Sequence, residues 1–161
     1  DGLLVHPFTS QEHLIQHTVP NMMTGLSSRG KDASSFTLIV GAIVGVHDGT
    51  DESRERAEST VRGMLGFYGS TPAYRPVLET HGWGELQPEL RQMTKEGKWE
   101  KLGDLFTREH LQALSVVGTP YEVGAQLAER FGQTADRVAL SIPQGIDPSW
   151  LTDLVRGVRN S

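Results

Sequence analysis

Between Phe36 and Val46 the chain reads Phe-Thr-Leu-Ile-Val-Gly-Ala-Ile-Val-Gly-Val, β-branched and almost continuously apolar. Such a run has no polar face to give to water, so it predicts a strand buried on both sides, the situation of a strand in a parallel sheet. Parallel neighbours need helical crossovers, and the flanking sequence supplies them. Gly2 to Val5 is a shorter apolar run stopped by His6 and Pro7, and Asp136 to Ile142 is a third, stopped by Pro143. After the first run, Ser10 caps a helix with an apolar stripe at Leu14, Ile15, Val19, Met22, Met23 and Leu26, interrupted by Pro20 and stopped near Gly30. After the second, Thr50 or Asp51 caps a helix with Ala57, Val61, Met64, Leu65 and Tyr68 on one face. Thr119 and Pro120 open a helix that ends at Gly132, and Asp147-Pro148 opens a last one to about Arg159.

The three runs are expected to be parallel strands of one sheet, the first beside the second and the second beside the third. Residues 49–115 are expected to be helical throughout, with short amphipathic helices over 87–96, 99–106 and 108–114. Within that span Phe67 to Leu86 is the least generic stretch, rich in aromatics, with Pro72 and Pro76 fixing φ and Gly69 and Gly82 able to take positive φ. Three parallel strands leave two open edges, whereas a closed barrel of this kind takes eight strands. The expected fold class is therefore α/β: residues 1–161 as the C-terminal part of a (β/α)8 TIM barrel, its last three strands, with 49–115 as an all-helical insertion. Leu3, Val5, Val138 and Leu140 are expected to be exposed barrel-lining residues, driving self-association or requiring the missing N-terminal part of the barrel.

Composition narrows the function. The net charge is −5 and there is no basic run, which argues against a nucleic-acid partner. No apolar run approaches the roughly 20 residues of a membrane helix. Cysteine is absent, which removes thiolate metal sites and suits a cytoplasmic protein.

A family resemblance rests on Phe67-Tyr-Gly-Ser-Thr-Pro-Ala-Tyr-Arg-Pro-Val-Leu78, His81-Gly-Trp-Gly84, Val117-Gly-Thr-Pro-Tyr-Glu-Val123 and Asp136-Arg-Val138. These resemble the luciferase-like oxidoreductases, most closely the branch that uses the deazaflavin coenzyme F420. The resemblance implies a TIM barrel with an insertion and a coenzyme lying across the C-terminal strand ends. It also implies that the proton-handling histidine comes from strands upstream of Asp1, so that no catalytic residue is assigned here.

In such a barrel the chemistry sits on loops leaving the strand C-termini, here 6–9, 47–50 and 141–144. His6 and Phe8 are candidates to border a bound ring. His47 and Asp48 are adjacent on an extended segment and point apart, so a solvated turn is expected there rather than a dyad. Tyr68, Tyr74 and Arg75 can fold back over the barrel mouth as a substrate pocket; the competing reading is an aromatic hinge with Arg75 paired to a helix C-terminus or to Glu79. Gly118 and Thr119 form a helix start that could hold an anionic part of a cofactor. His13 and His17 lack the Glu of a zinc helix, so no metal is expected, and no Gly-x-Gly-x-x-Gly run supports a Rossmann site. The leading expectation is an F420-dependent oxidoreductase acting on a small molecule. An FMN-dependent monooxygenase and a non-catalytic fragment or assembly module are the alternatives.

Overall fold

The computed structural model describes residues 1–142 and 146–161. Strand β1 (Gly2–Val5) leads through Ser10, whose hydroxyl accepts from the His13 N–H at 3.0 Å, into α1 (Gln11–His13). The helix continues as a π-helical stretch, Leu14–Thr18, and then as α2 (Val19–Ser28). Pro20 was expected to interrupt this helix, and the structure corrects that. The wide π turn ends with the Val19 N–H bonded to the Leu14 carbonyl just before the proline, where the chain has no donor to lose. The helix stops at Gly30, whose φ of 60° is the left-handed turn that glycine allows, with Lys31 N–H closing on the Leu26 carbonyl.

Strand β2 (Thr37–Val46) is the spine. It pairs in parallel with β1 from Gly2↔Thr37 to Val5↔Val40, and with β4 (Arg137–Ser141) from Ile39↔Arg137 to Ile43↔Ser141. Ile39 and Val40 pair with both, so β1 and β4 must lie on opposite edges of β2. The expected order of the three strands is observed. A fourth strand was not expected: Val116–Gly118, read from sequence as a helix opening, is the short strand β3 and pairs with Val44–Val46. β1 and β4 together reach only to Ile43, and β3 satisfies the buried backbone beyond it.

Helices cover both faces of β2. Leu38, Val40, Ala42, Val44 and Val46 pack with Val123, Leu127 and Phe131 of α7 (Pro120–Phe131) and Leu154 of α8 (Trp150–Arg159). Ile43 packs instead with Phe8 and with Val61 and Leu65 of α3 (Asp51–Gly69). Leu3, Val5, Val138 and Leu140 join the α7–α8 side half-buried, and the side chain left out is Leu4, 66% exposed. The expectation had chosen the wrong face, since successive strand residues point to opposite sides. From residue 49 to 115 every regular segment is helical: α3, a 3₁₀ turn Pro72–Tyr74, α4 (Arg75–Thr80), α5 (Leu86–Lys95), a 3₁₀ run Trp99–Leu105 and α6 (Arg108–Leu114).

Helices α7 and α8 cross at two glycines. A side chain at Gly124 would collide with the Leu154 carbonyl oxygen, and one at Gly157 with that of Tyr121. Asp147, expected to cap the last helix, instead accepts from the Ser149 N–H and hydroxyl in the turn ahead of α8, whose N-cap is Ser149. The sequence reading of Pro143 and Gln144 lies outside the described residues.

Candidate functional site

β1 ends one residue before His6, and that histidine is the centre of an aromatic box. Its ring stacks on Tyr74 with centroids 4.6 Å apart and planes 21° from parallel, and meets Tyr68 edge-on at 4.6 Å. Phe8, 1% exposed, closes the box from below, 5.7 Å from the Tyr74 ring and 6.4 Å from Tyr68. Four of the residues singled out from sequence, His6, Phe8, Tyr68 and Tyr74, are thus brought together from segments some sixty residues apart. α3 delivers Tyr68 at its C-terminal end, and the Pro72–Tyr74 turn delivers Tyr74. Pro72 sits in the first turn, where its missing N–H costs nothing.

The Phe8 N–H donates to His6 Nδ1 at 3.1 Å. A neutral His6 therefore carries its proton on Nε2, and burial pushes its pKa below the ordinary value. Neither tyrosine hydroxyl bonds to another described residue, so both remain able to donate or accept.

Arg75 is turned elsewhere. Its guanidinium bonds Glu79 at 2.7 Å and Glu85 at 3.1 Å, and the Glu79 hydrogen bond pushes its pKa up. The arginine thereby ties the start of α4 to the loop ahead of α5, the pairing with Glu79 that the hinge reading contained. Gly118 and Thr119 lie at the end of β3, lining a separate cleft. The Thr119 N–H and hydroxyl both donate to Glu122 at 2.8 Å in a capping box, so that amide is already engaged. The Thr119 amide bond is also the first cause of the lowered Glu122 pKa.

His47, expected in a solvated turn, is buried, and its Nδ1 accepts from the Gly49 N–H at 3.1 Å. Asp48 is exposed and accepts from Thr50 as expected of a turn. His13 and His17 face each other with rings 4.8 Å apart, and His13 Nδ1 is 2.8 Å from the Thr80 hydroxyl. His81 bonds Ser10 at 2.8 Å and stacks on Trp83, which meets His110 edge-on. Sequence reasoning missed this tie between the start of α1 and the end of α4. No spacing signals it, because its members are some seventy residues apart.

Comparison with known proteins places the chain in a family. The family model described as luciferase-like monooxygenase matches residues 1–137. An uncharacterized protein of Mycobacterium tuberculosis is 43% identical over 139 residues, covering 86% of this chain and 40% of the relative. A 5,10-methylenetetrahydromethanopterin reductase of Archaeoglobus fulgidus is 27% identical over 154 residues, covering 91% of this chain and 44% of the relative. The structure of the coenzyme F420-dependent tetrahydromethanopterin reductase of Methanopyrus kandleri superposes with a TM-score of 0.70 at 19% identity, over 96% of this chain and 43% of that one. The chain thus spans less than half the length of each of these relatives, and the last likeness is one of fold. With its parallel sheet, its helical crossovers and a family match over most of its length, this chain belongs to the luciferase-like monooxygenase family.

Proposed function

We propose that the protein containing this chain is an F420-dependent oxidoreductase that transfers a hydride between reduced deazaflavin and a small organic substrate. In this reading the chain supplies the last part of a (β/α)8 barrel, with 49–115 as its helical insertion. The observation that carries it is the aromatic box at the C-terminal end of β1. The name of the Methanopyrus kandleri reductase, which is coenzyme F420-dependent, supports the choice of coenzyme.

The box suits a planar ring system. The rings of His6, Tyr68 and Tyr74 stand half-buried over the buried Phe8, offering an apolar wall with an N–H and two unengaged hydroxyls at the edge. When bound, the deazaflavin supplies the hydride. His6, Tyr68 and Tyr74 border the ring and the substrate with Phe8 packed beneath them, while Gly118 and Thr119 at the end of β3 are the other proposed contacts. Held neutral by burial, His6 presents Nε2–H as a donor and leaves no cation beside the ring. Phe8 keeps water from the underside of the site. Arg75, paired to Glu79 and Glu85, holds the tyrosine turn at the mouth of the pocket.

A cytoplasmic enzyme fits a chain without cysteine and, among the described residues, without a helix long and apolar enough to cross a membrane. The family's description as a monooxygenase favours one alternative, FMN in place of the deazaflavin. Fluorescence titration of the whole protein with each cofactor separates the two. Micromolar F420 binding, weakened at least about tenfold by Tyr74→Ala, is expected, and a preference for FMN overturns the proposal. The isolated chain should bind far more weakly and self-associate through the outer edges of β1 and β4. A one-to-one micromolar end point on a monomeric chain would overturn the partial-barrel reading.

A further inference from the structure

A cavity of about 460 Å³ opens between α3, α6 and α7, lined by none of the aromatic box residues. Its lining differs from that of the box in kind. Arg54, Arg108 and Arg130 enter from three helices, and His47 enters from the end of β2. Two carboxylates also line it, but each has its own partner: Glu58 pairs with Arg62 at 3.2 Å, and Glu122 caps Thr119. Arg54 pairs with exposed Asp51 at 3.2 Å, and it and His47 also lie near enough to the Glu122 carboxylate to help lower its pKa. Arg108 has no partner among the described residues. Arg130 is half-buried and its one hydrogen bond, from Nη1 to the Ser115 carbonyl at 2.8 Å, leaves the rest of its fork unused. Burial pushes its pKa down, against the opposing pull of Glu12 and Glu129.

An independent observation lies at the inner end. Ser115 and Arg130 also line a void of about 10 Å³ that Thr9 enters from the other side. The Thr9 hydroxyl is the one buried side-chain oxygen or nitrogen without a hydrogen-bond partner among the described residues, and Thr9 is 5% exposed. A buried orphan hydroxyl is costly and calls for a partner. The void is about the size of one water, which would link it to whatever Arg130 holds.

We propose that this cleft is a binding site for the phosphate group of a small ligand, held by Arg108 and Arg130 with Arg54 and His47 at its sides and Thr9 reached through water. Guanidinium forks match a tetrahedral oxyanion in two directions at once, and those of Arg108 and Arg130, which line this cleft, have donors to spare. His47 completes the donor set: its Nδ1 accepts from Gly49, so its ring proton is on Nε2. The cleft shares no residue with the aromatic box, but Gly118 and Thr119 line it, so at those two residues it meets the contacts proposed for the coenzyme; binding of free phosphate tests it without the coenzyme.

Calorimetric titration with inorganic phosphate, and separately with citrate, at constant ionic strength tests it. Saturable phosphate binding is expected, with chloride at equal ionic strength failing to replace it. Arg108→Gln and Arg130→Lys should each weaken it about tenfold, as loss of a charge-assisted bidentate contact does. Thr9→Val is the control against misfolding: it should leave the unliganded melting temperature unchanged or raised while weakening phosphate binding. No saturation at about 1 mM phosphate, the weak end of specific binding, or affinity indifferent to all three variants, would overturn the site. Citrate bound more tightly than phosphate would overturn the phosphate assignment.

Discussion

The aromatic box and the arginine cleft start from the same backbone device and end as opposites. His6 and His47 each follow a parallel strand, and in each the ring Nδ1 accepts the N–H two residues on, at 3.1 Å. What separates them is the helix overhead. α3 runs from one to the other, bringing Arg54 and Glu58 to the cleft and Tyr68 to the box. At a rise of 1.5 Å per residue, Glu58 and Tyr68 stand about 15 Å apart along it. At the box the rings are continuous with the core through Phe8, while at the cleft the side chains reach into open space. A strand end therefore offers a generic donor, and the helix laid across it decides whether that donor faces rings or charges.

The sharpest way to break the contrast is to remove its core member. Phe8→Ala should cost about 3–5 kcal/mol, as emptying a fully buried aromatic position does, and should loosen both tyrosines. The urea midpoint measures it, and a loss under 1 kcal/mol would mean that the box is not part of the core. Gly66→Ala comes next. A Cβ there would stand 2.5 Å from the Leu102 Cβ, so the Trp99–Leu105 run must shift off α3. A cost of about 1–3 kcal/mol is expected although alanine favours helix, and an unchanged midpoint would contradict the packing.

Proton linkage gives a smaller effect. Burial lowers the pKa of His6, of His110 and of His13, the last also through its neighbours His17 and His81. A histidine whose folded pKa lies below its unfolded value binds its proton more readily when unfolded. Stability should therefore hold above the ordinary value near 6.5 and fall as pH drops below it. His6→Gln should flatten that slope, read as ΔG against pH between about 7 and 5; an equal slope in the variant would remove His6 from the account. The smallest effect is at the cleft. Arg108→Gln should move stability by no more than about 0.5 kcal/mol, and a larger loss would mean that Arg108 holds the fold together.

Much of the fold was legible in local pattern. The run at Phe36–Val46 could only be a doubly buried strand, and Thr119-Pro120 fixed a helix start by capping chemistry alone. β3 was not legible, because three residues carry no periodicity and pair only to finish what β1 and β4 leave open. The buried face of β1 was misread for a related reason: in Gly2–Val5 both alternations are apolar, so nothing local chooses Leu3 and Val5 over Leu4. Of the candidate site, the aromatic members could be named because tyrosines around a proline turn after a helix are uncommon. The Arg108 and Arg130 cleft could not, since each arginine looks like ordinary solvated helix surface until three helices are brought together.

The crossing of α7 and α8 carries one more consequence. Most helix pairs are held apart by side chains, which can change rotamer and let the spacing breathe. At Gly124 and Gly157 the backbones themselves meet, and carbonyl groups do not repack. The contact is a fulcrum: α8 may tilt about it, but its height above the sheet is set by the peptide chain. The apolar row that α8 turns outward, Leu151, Val155 and Val158, therefore stands at a fixed level like a shelf. Whatever rests there meets a surface positioned by the main chain, which exchange of the neighbouring side chains leaves in place.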